Sequence, residues 1–426
     1  MSPTKANGSE TRTALDALRE SGIVIAADGA EYYRIPEFSP TDATSNPSLV
    51  YAAVSKEGSE YRWLLEEAIR RAVDELAVDG EGSIEKITEK MMDWLLVLLG
   101  AEVLSRIPRR VSLSLDPRLF LPAFPPHSPQ EDDRYHSILA RCLSLHALAV
   151  KHLGSKPRIL LKLPATPLGL RLAATLQSQH GIESNMTLIF GAVQARACAQ
   201  AGIRVLSPFV GRVKDWFDAN HGPAEVRDLA DHPGIKLVRE IKQMYKEEGY
   251  EGRTQIMAAG FRKPEEVLEL VRTRREGGPD YVTLPPELLG GLKVLPYPSF
   301  SAPPSSSTSS STVKADSPVY FTPTGPTPES LSLFLADLEK ERIALDKVPE
   351  GLSKFGADTD KLEVLIRELI SKEVSTLQHQ YAQNEVERLI ATKMKEDPAP
   401  APAPTKQPPT VAQKTCTRGL RSVQVA

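Results

Sequence analysis

The sequence has 426 residues, of which 41% are hydrophobic and 25% are charged, and its formal net charge is −3. This composition is typical of a soluble globular protein, and the charge offers no basic surface for nucleic acid or an anionic membrane. No apolar stretch approaches the ~18 residues of a membrane span, and the polar N-terminal segment lacks the apolar core of a signal peptide. The cysteines have no metal-ligand spacing, so we expect reduced thiols, no bound metal and a cytoplasmic location.

Short apolar runs alternate along the chain with longer segments of helical periodicity. The runs, which we predict to be strands, are Ile23–Asp28, the segment ending at Thr44-Ser45-Asn46-Pro47, Val111–Asp116, Ile159–Thr166, Asn185–Phe190, Arg204–Val210, Thr254–Phe261 and Tyr281–Leu284. The predicted helices are Leu49–Val78, Ile84–Ser105, Ser137–Leu153, Leu168–Gln179, Ala192–Ala201, Ile235–Glu248 and Pro264–Arg274. Eight apolar strands alternating with helices favour parallel β-α units that close into an α/β fold, a (β/α)8 (TIM) barrel over residues 1–295.

The remaining chain does not fit a compact barrel. We predict a surface loop over Pro122–Asp133 and a serine- and proline-rich flexible linker over residues 296–318. Residues 319–396 are predicted to form additional C-terminal helices packed on the barrel, beginning with a capping threonine and a proline at Thr327-Pro328. Residues 397–426 are rich in proline and alanine and are predicted to be a disordered tail.

Deletion of Ser301–Ala315, or of everything after Asp397, is expected to leave the melting temperature and any catalytic turnover nearly unchanged. Flexible segments bury little surface, and shortening them changes the loop-closure entropy only slightly. Thermal unfolding of both deletion variants checks this prediction. A loss of several degrees in the melting temperature would show instead that these segments pack on the folded protein.

Polar and charged residues interrupt the predicted strands or follow them directly. They are Asp28, Asn46, Asp116, Lys162, Asn185, Thr187, Ser207 and Arg262. Any one of these side chains is explained by a satisfied polar group in the core, whereas eight of them spread over most of the strands are not. Because barrel enzymes carry their sites at the carboxyl ends of the strands, these residues predict an active site there.

Lys162 is the most informative residue, because it lies within the apolar strand Ile159–Thr166. Burial of an ammonium group lowers its pKa and frees the amine as a nucleophile near neutral pH. The natural reaction of such an amine is Schiff-base formation with a ketone. The strand alone leaves open the alternative that this lysine reaches solvent or pairs with a carboxylate.

Several ordered motifs resemble those of the transaldolase family. The segment Asp42–Leu49 resembles that family's Asp-Ala-Thr-Thr-Asn-Pro-Ser-Leu signature, and Ile159–Thr166 resembles the segment that holds its Schiff-base lysine. Two further blocks, Asn185–Phe190 and Leu206–Trp216, are also similar, and the likeness extends over roughly residues 12 to 372. Several motifs in order are far more specific than one short match.

The resemblance implies a role for each matching residue. Lys162 corresponds to the lysine that forms the imine with the ketose, and Asp28 to the aspartate that takes the proton of the C4 hydroxyl. Thr187 matches a threonine that helps to hold a catalytic water, and Phe209 matches a phenylalanine that is typical of transaldolases. The related fructose-6-phosphate aldolases carry a tyrosine in place of Phe209. The positions that hold the sugar hydroxyls are Asn46, Asn185 and Ser207, and those that bind the phosphate are Arg212 and Arg262.

One departure from the family concerns a catalytic acid. The segment Arg110–Leu119 resembles the family's Arg-Val-Ser-Thr-Glu-Val-Asp-Ala-Arg-Leu, and Ser114 stands where that pattern has its glutamate. The glutamate shuttles protons through a bound water, whereas a serine hydroxyl can hold a water but cannot accept a proton near pH 7. Asp116 lies two residues further along the predicted strand and is a candidate substitute. Smaller departures at Gly260, Pro167 and Gly191-Ala192-Val193 alter the walls of the site.

The resemblance therefore implies a transferase of the pentose phosphate pathway type, which moves a dihydroxyacetone unit between sugar phosphates through a lysine Schiff base. Ser114 leaves two alternatives open, an aldolase or transferase for another ketose and a non-catalytic sugar-phosphate-binding protein. We expect sugar phosphates as ligands and no cofactor, since the imine itself withdraws the electrons. The oligomeric state stays open, with a homodimer as one option.

Overall fold

The structure is a computed structural model that describes residues 12–56, 60–79, 83–125, 129–154, 158–223, 228–299 and 317–396. The serine-rich part of the predicted linker and the predicted tail lie outside the described residues. The chain divides into two units, residues 1–370 and 371–426. Apart from the end of the last helix, the features discussed below belong to the first unit.

Eight parallel strands form a closed barrel in which each strand pairs with its neighbour along the chain and β8 pairs with β1. The strands are β1 (Val24–Asp28), β2 (Asp42–Thr44), β3 (Val111–Ser114), β4 (Ile159–Pro164), β5 (Ser184–Ile189), β6 (Val205–Pro208), β7 (Gln255–Ala258) and β8 (Tyr281–Leu284). Each of the eight overlaps its predicted run, with ends that differ by a few residues. The predicted (β/α)8 barrel is therefore confirmed.

The helices surround this barrel and continue after it. They are α1 (Ala14–Glu20), α2 (Pro47–Val54), α3 (Arg62–Asp79), α4 (Ile84–Leu104), α5 (Pro129–Leu153), α6 (Pro167–His180), α7 (Ala192–Gln200), α8 (Val210–His221), α9 (Pro233–Glu247), α10 (Pro264–Arg272), α11 (Arg274–Gly277), α12 (Pro286–Val294), α13 (Pro328–Glu341) and α14 (Ile343–Glu396). Short 3-10 turns occur at Tyr32–Glu37, Pro117–Phe120 and Leu229–Asp231. Among the described helices, none is long and apolar enough to cross a membrane.

One predicted helix and one predicted loop need correction. The segment Leu49–Val78 is not one helix, since α2 ends at Val54 and α3 begins at Arg62. The polar residues that follow Val54, with a glycine among them, supply no apolar side chain that would favour a continuous helix. The predicted loop Pro122–Asp133 is too long, because α5 already begins at Pro129 with acidic residues in its first turn. Proline at the first helical position and early acidic residues both favour that start.

The inward-facing side chains of the barrel lie in layers. At the amino ends of the strands, Arg110 donates to Asp42 at 3.2 Å and to the Tyr281 hydroxyl at 2.8 Å, which satisfies a buried cation. The next layer is apolar and contains Ala26, Leu160, Val205 and Met257 together with Tyr281. Side chains further along the same strands are polar, so the polar layer lies at the carboxyl ends, as the sequence predicts.

The first C-terminal helix begins where the sequence predicts. Thr327 caps α13 through its hydroxyl, which accepts from the Ser330 N–H at 3.2 Å, and Pro328 is the first helical residue. α14 then presents Leu362, Ile366 and Ile370 as buried residues at helical spacing. Asp360 and Glu363 of α14 both form ion pairs with Arg118, which follows β3. These contacts place the first part of α14 over the carboxyl ends of the strands.

Candidate active site

Lys162 lies in β4 with a side chain that is 7% exposed. Its Nζ donates to the Ser45 carbonyl oxygen at 3.0 Å. Burial lowers the pKa of Lys162, and the negative charge of Asp28 opposes this shift only in part. A lowered pKa increases the fraction of neutral amine near pH 7, which is the form that attacks a carbonyl carbon.

A cavity adjoins the lysine and brings together four of the predicted site residues. The barrel side of this cavity is formed by Asn46, Ser114, Lys162 and Thr187, and its outer side by Leu352 and Phe355 of α14. Thr187 Oγ1 is buried and has no hydrogen-bond partner among the described residues. A hydroxyl in this position is available to a ligand or to a water held beside Lys162.

Ser114 ends β3 and is the direct strand neighbour of Lys162. Its Oγ donates weakly to the Leu115 carbonyl oxygen at 3.3 Å. Asp116 lies beyond the end of β3, so the strand alternation that suggested it as a substitute for the missing acid does not apply. β3 ends at Ser114, and Asp116 instead caps the following turn and pairs with the Arg118 guanidinium at 2.7 Å.

Asp28 is the last residue of β1, and its carboxylate accepts a hydrogen bond from Thr44 Oγ1 at 2.9 Å. The negative charge of Asp28 acts on Lys162 and raises its pKa, against the larger effect of burial. A carboxylate held by a hydrogen bond in the same barrel is suited to proton transfer on a molecule that is bound to a buried amine.

Three amide and hydroxyl side chains complete the polar layer. Asn46 caps α2 through Oδ1, which accepts from the Leu49 N–H at 3.0 Å, and the residue lines the lysine cavity. Asn185 is fully buried, and its Oδ1 accepts from Ser207 Oγ at 2.9 Å while its Nδ2 donates to Ser112 Oγ at 3.2 Å. The bond from Ser207 fixes the amide orientation of Asn185, so both groups are held in defined positions.

Two arginines lie at the ends of neighbouring strands. Arg212, in α8, is largely buried. Its Nη1 has no hydrogen-bond partner among the described residues, whereas its Nη2 lies 3.4 Å from Glu350 Oε1. Burial lowers the pKa of Arg212, and the nearby positive charge of Arg262 lowers it further. Arg262, after β7, donates to Asp215 at 2.7 Å. Two adjacent cations with an unused buried donor are suited to an anion such as phosphate.

Phe209 and Leu188 connect the arginines with the lysine cavity. The Phe209 ring lies below the Arg212 guanidinium, with 6.0 Å from the ring centre to Cζ. Leu188 lines the lysine cavity in a left-handed conformation with φ of 60°, which is costly for a leucine and typical of functional sites. A Cβ at Gly351 would lie 2.7 Å from Leu188 and 2.9 Å from Arg212 Nη1, so this glycine allows α14 to approach both residues closely.

The sequence analysis did not single out several residues that the structure brings to this site. They are Thr44, Ser112, Leu188, Thr283, Glu350, Leu352 and Phe355. A signal existed for some of them, since Thr44 lies inside the signature motif and the α14 residues lie within residues 12 to 372, over which the resemblance extends. Among the described residues, no group of three or more His, Cys, Asp and Glu side chains could hold a metal ion.

Glu341, the last residue of α13, holds its carboxylate at the N-terminus of α7, where Oε1 accepts from the Val193 N–H at 3.3 Å. A Cβ at Gly191 would overlap this carboxylate, so the glycine at that position makes room for Glu341. Burial raises the pKa of Glu341 from 4.5 to about 7. The carboxyl is therefore protonated in the folded state over a pH range in which the unfolded chain has lost the proton.

Glu341→Gln is expected to stabilise the protein at pH 8 and to have little effect at pH 5. The raised pKa contributes stability that is present below pH 4.5 and is lost as the pH rises through about 7. Since one pKa unit corresponds to about 1.4 kcal/mol, the difference between the two pH values is at most about 3 kcal/mol. Urea unfolding of both proteins at the two pH values measures it, and an equal effect at both would contradict the prediction.

The fold is thus a (β/α)8 barrel, and the polar residues around the buried Lys162 at its carboxyl end are the candidate active site. The family model described as Transaldolase/Fructose-6-phosphate aldolase matches residues 25–366. The chain belongs to this family, and it is an enzyme of the transaldolase type.

Curated relatives are similar over most of their length. The transaldolase of Sus scrofa is 36% identical over 372 residues, which cover 86% of this chain and 96% of that protein. The Homo sapiens transaldolase is 35% identical over 373 residues, covering 86% and 97% respectively. The Gibberella intermedia transaldolase is 33% identical over 359 residues, covering 84% and 99%.

Proposed function

We propose that this enzyme transfers a dihydroxyacetone unit from a ketose phosphate to an aldose phosphate through a Schiff base on Lys162. The donors are sedoheptulose 7-phosphate and fructose 6-phosphate, the reaction is of the pentose phosphate type, and its location is cytoplasmic. The observation that carries this proposal is the buried Lys162, whose pKa is lowered and which adjoins a cavity with Asn46, Ser114 and Thr187.

In the proposed reaction, the neutral Lys162 amine attacks the C2 carbonyl carbon of the ketose, and water leaves to give a protonated imine. Asp28 then accepts the proton of the C4 hydroxyl while the C3–C4 bond breaks. The aldose phosphate departs, and the electron pair of that bond moves into the imine to give an enamine. The enamine carbon attacks the aldehyde carbon of the acceptor, Asp28 returns the proton, and hydrolysis of the new imine releases the product.

The other site residues hold the substrate. Arg212 and Arg262 bind the phosphate. An oxygen of the phosphate accepts a hydrogen bond from Arg212 Nη1, which has no partner among the described residues. Asn46 and the pair of Asn185 and Ser207 bind the sugar hydroxyls. Thr187 holds a water beside the lysine, with Ser114 as a second possible partner for that water.

Ser114 supports a second candidate, an aldolase or transferase for another ketose, or a paralogue with impaired catalysis. Ser114 supplies no general base next to Lys162, and the Asp116 carboxylate is paired with the Arg118 guanidinium. The imine-forming steps with fructose 6-phosphate are therefore expected to be slow, by a factor of about 10²–10⁴ relative to an enzyme with a positioned acid–base.

Assays of fructose 6-phosphate with and without erythrose 4-phosphate distinguish these candidates. A transferase releases glyceraldehyde 3-phosphate steadily only when the acceptor is present, whereas an aldolase releases it without the acceptor. Phe209, the residue typical of transaldolases, favours the first result. Acceptor-independent release at the same rate would favour the aldolase, and binding without any release would favour the impaired paralogue.

A further inference from the structure

Asp28 is linked to β8 by a chain of two buried threonines. Thr44 Oγ1 donates to Asp28 Oδ1 at 2.9 Å, and the same oxygen lies 2.6 Å from Thr283 Oγ1. Thr44 is 1% exposed and Thr283 is 3% exposed, so solvent cannot replace either hydroxyl easily. The chain runs across three adjacent strands, since β1 pairs with both β2 and β8.

The direction of these hydrogen bonds follows from the number of protons available. An ionised carboxylate only accepts, so the single hydroxyl proton of Thr44 is directed to Asp28. Thr44 therefore has only lone pairs to offer Thr283, and Thr283 must donate to Thr44. The Thr283 hydroxyl thus holds the Thr44 hydroxyl in the orientation that keeps its proton on Asp28.

We propose that Thr283 is a positioning residue for the proton-transfer step, which it controls through Thr44 and Asp28. The chain occupies Oδ1 of Asp28 and leaves Oδ2 to take the proton from the substrate hydroxyl. This inference rests on the proposed function, because Asp28 transfers a proton only in C3–C4 cleavage and in its reverse, the addition to the acceptor. Imine formation at Lys162 does not involve the threonine chain.

Removal of the Thr283 hydroxyl leaves Thr44 free to rotate, so Asp28 loses its fixed orientation. Thr283→Val keeps the shape of the side chain and is expected to lower kcat by roughly ten- to a hundredfold, as small misplacements of catalytic groups do. KM for fructose 6-phosphate should change little, because the phosphate and hydroxyl contacts remain. Thr283→Ser keeps the donor and should restore most of the activity.

Borohydride trapping separates this role from a purely structural one. Fructose 6-phosphate is mixed with the enzyme without acceptor, reduced after a short interval, and the adduct on Lys162 is weighed by mass spectrometry. An intact six-carbon adduct reports imine that has not been cleaved, and a three-carbon adduct reports completed cleavage. Thr283→Val should raise the ratio of six-carbon to three-carbon adduct at least several-fold, and Thr283→Ser should return it toward the wild-type ratio.

Thr254→Val is the matched control, because Thr254 is equally buried but donates to the Ile203 carbonyl oxygen before β7 begins. This variant should leave the adduct ratio unchanged, whatever its effect on stability. If valine at position 283 prevents folding, Thr283→Cys, with a weaker donor, should give a smaller change in the same direction.

An adduct ratio that is the same in wild type, Thr283→Val and Thr283→Cys would overturn the inference and leave the proposed function intact. Absence of any sugar adduct on wild-type Lys162 would instead overturn the proposed function, and the inference with it.

Discussion

Lys162→Arg is expected to abolish transfer, lowering kcat by roughly 10³-fold or more, as loss of a covalent nucleophile does. Arginine keeps the positive charge, but its guanidinium does not form an imine at neutral pH. Borohydride-dependent labelling by fructose 6-phosphate should disappear as well. Activity and labelling are measured on protein whose circular dichroism and melting curve confirm the fold.

Lys242→Arg is the matched control for this substitution. Lys242 is also buried, and its Nζ pairs with Asp280 and Glu251 at 3.2 Å each, so arginine can satisfy the same carboxylates. This variant should retain activity and labelling. Persistent labelling of Lys162→Arg at another lysine would show that the wrong nucleophile is assigned.

Ser114→Glu is expected to raise turnover of fructose 6-phosphate with erythrose 4-phosphate by roughly ten- to a thousandfold. The new carboxyl would stand beside Lys162, in the cavity that Thr187 also lines, and would supply the general acid–base that the site lacks. Steady-state kinetics of wild type and variant measure the gain. No gain in a folded variant that binds the sugar phosphate would show that fructose 6-phosphate is not the natural donor.

Two further variants identify the source of any gain. Thr187→Ala in the Ser114→Glu background should remove most of it, because the water needs both partners. Asp116→Asn in the parent background should have little effect on the imine-forming steps, since the Asp116 carboxylate is held by Arg118 outside the cavity. A large loss from Asp116→Asn would mean that Asp116 moves into the site during turnover.

The strands were predictable because their residues are apolar on both faces, and such runs leave few other interpretations. The polar layer at the carboxyl ends of the strands was predictable for a related reason. A single asparagine or lysine in such a run, such as Asn185 or Lys162, is explained by a satisfied polar group in the core, but several of them at the ends of different strands are costly unless they are functional. Both residues indeed lie in the polar layer of the barrel.

Other features depend on tertiary contacts that leave no local pattern. Arg118, the partner of Asp116, is also bound by Asp360 and Glu363 of α14, which lie more than 240 positions further along the chain. The alternation of side chains in a strand gives no information about such distant contacts. The helix break after Val54 was hidden because the apolar spacing resumes in phase beyond it. The partners of Asp28 were missed because a threonine in a strand is usually only a β-former, and its hydrogen bonds appear only when three strands are brought together.

The most direct test of the account is borohydride reduction of the wild-type enzyme in the presence of fructose 6-phosphate labelled with carbon-13, followed by peptide mapping. The account predicts a labelled adduct on the peptide that contains Lys162, formed only when sugar and borohydride are both present. A labelled adduct on a different lysine, or no adduct while the enzyme still turns over the sugar, would contradict the account.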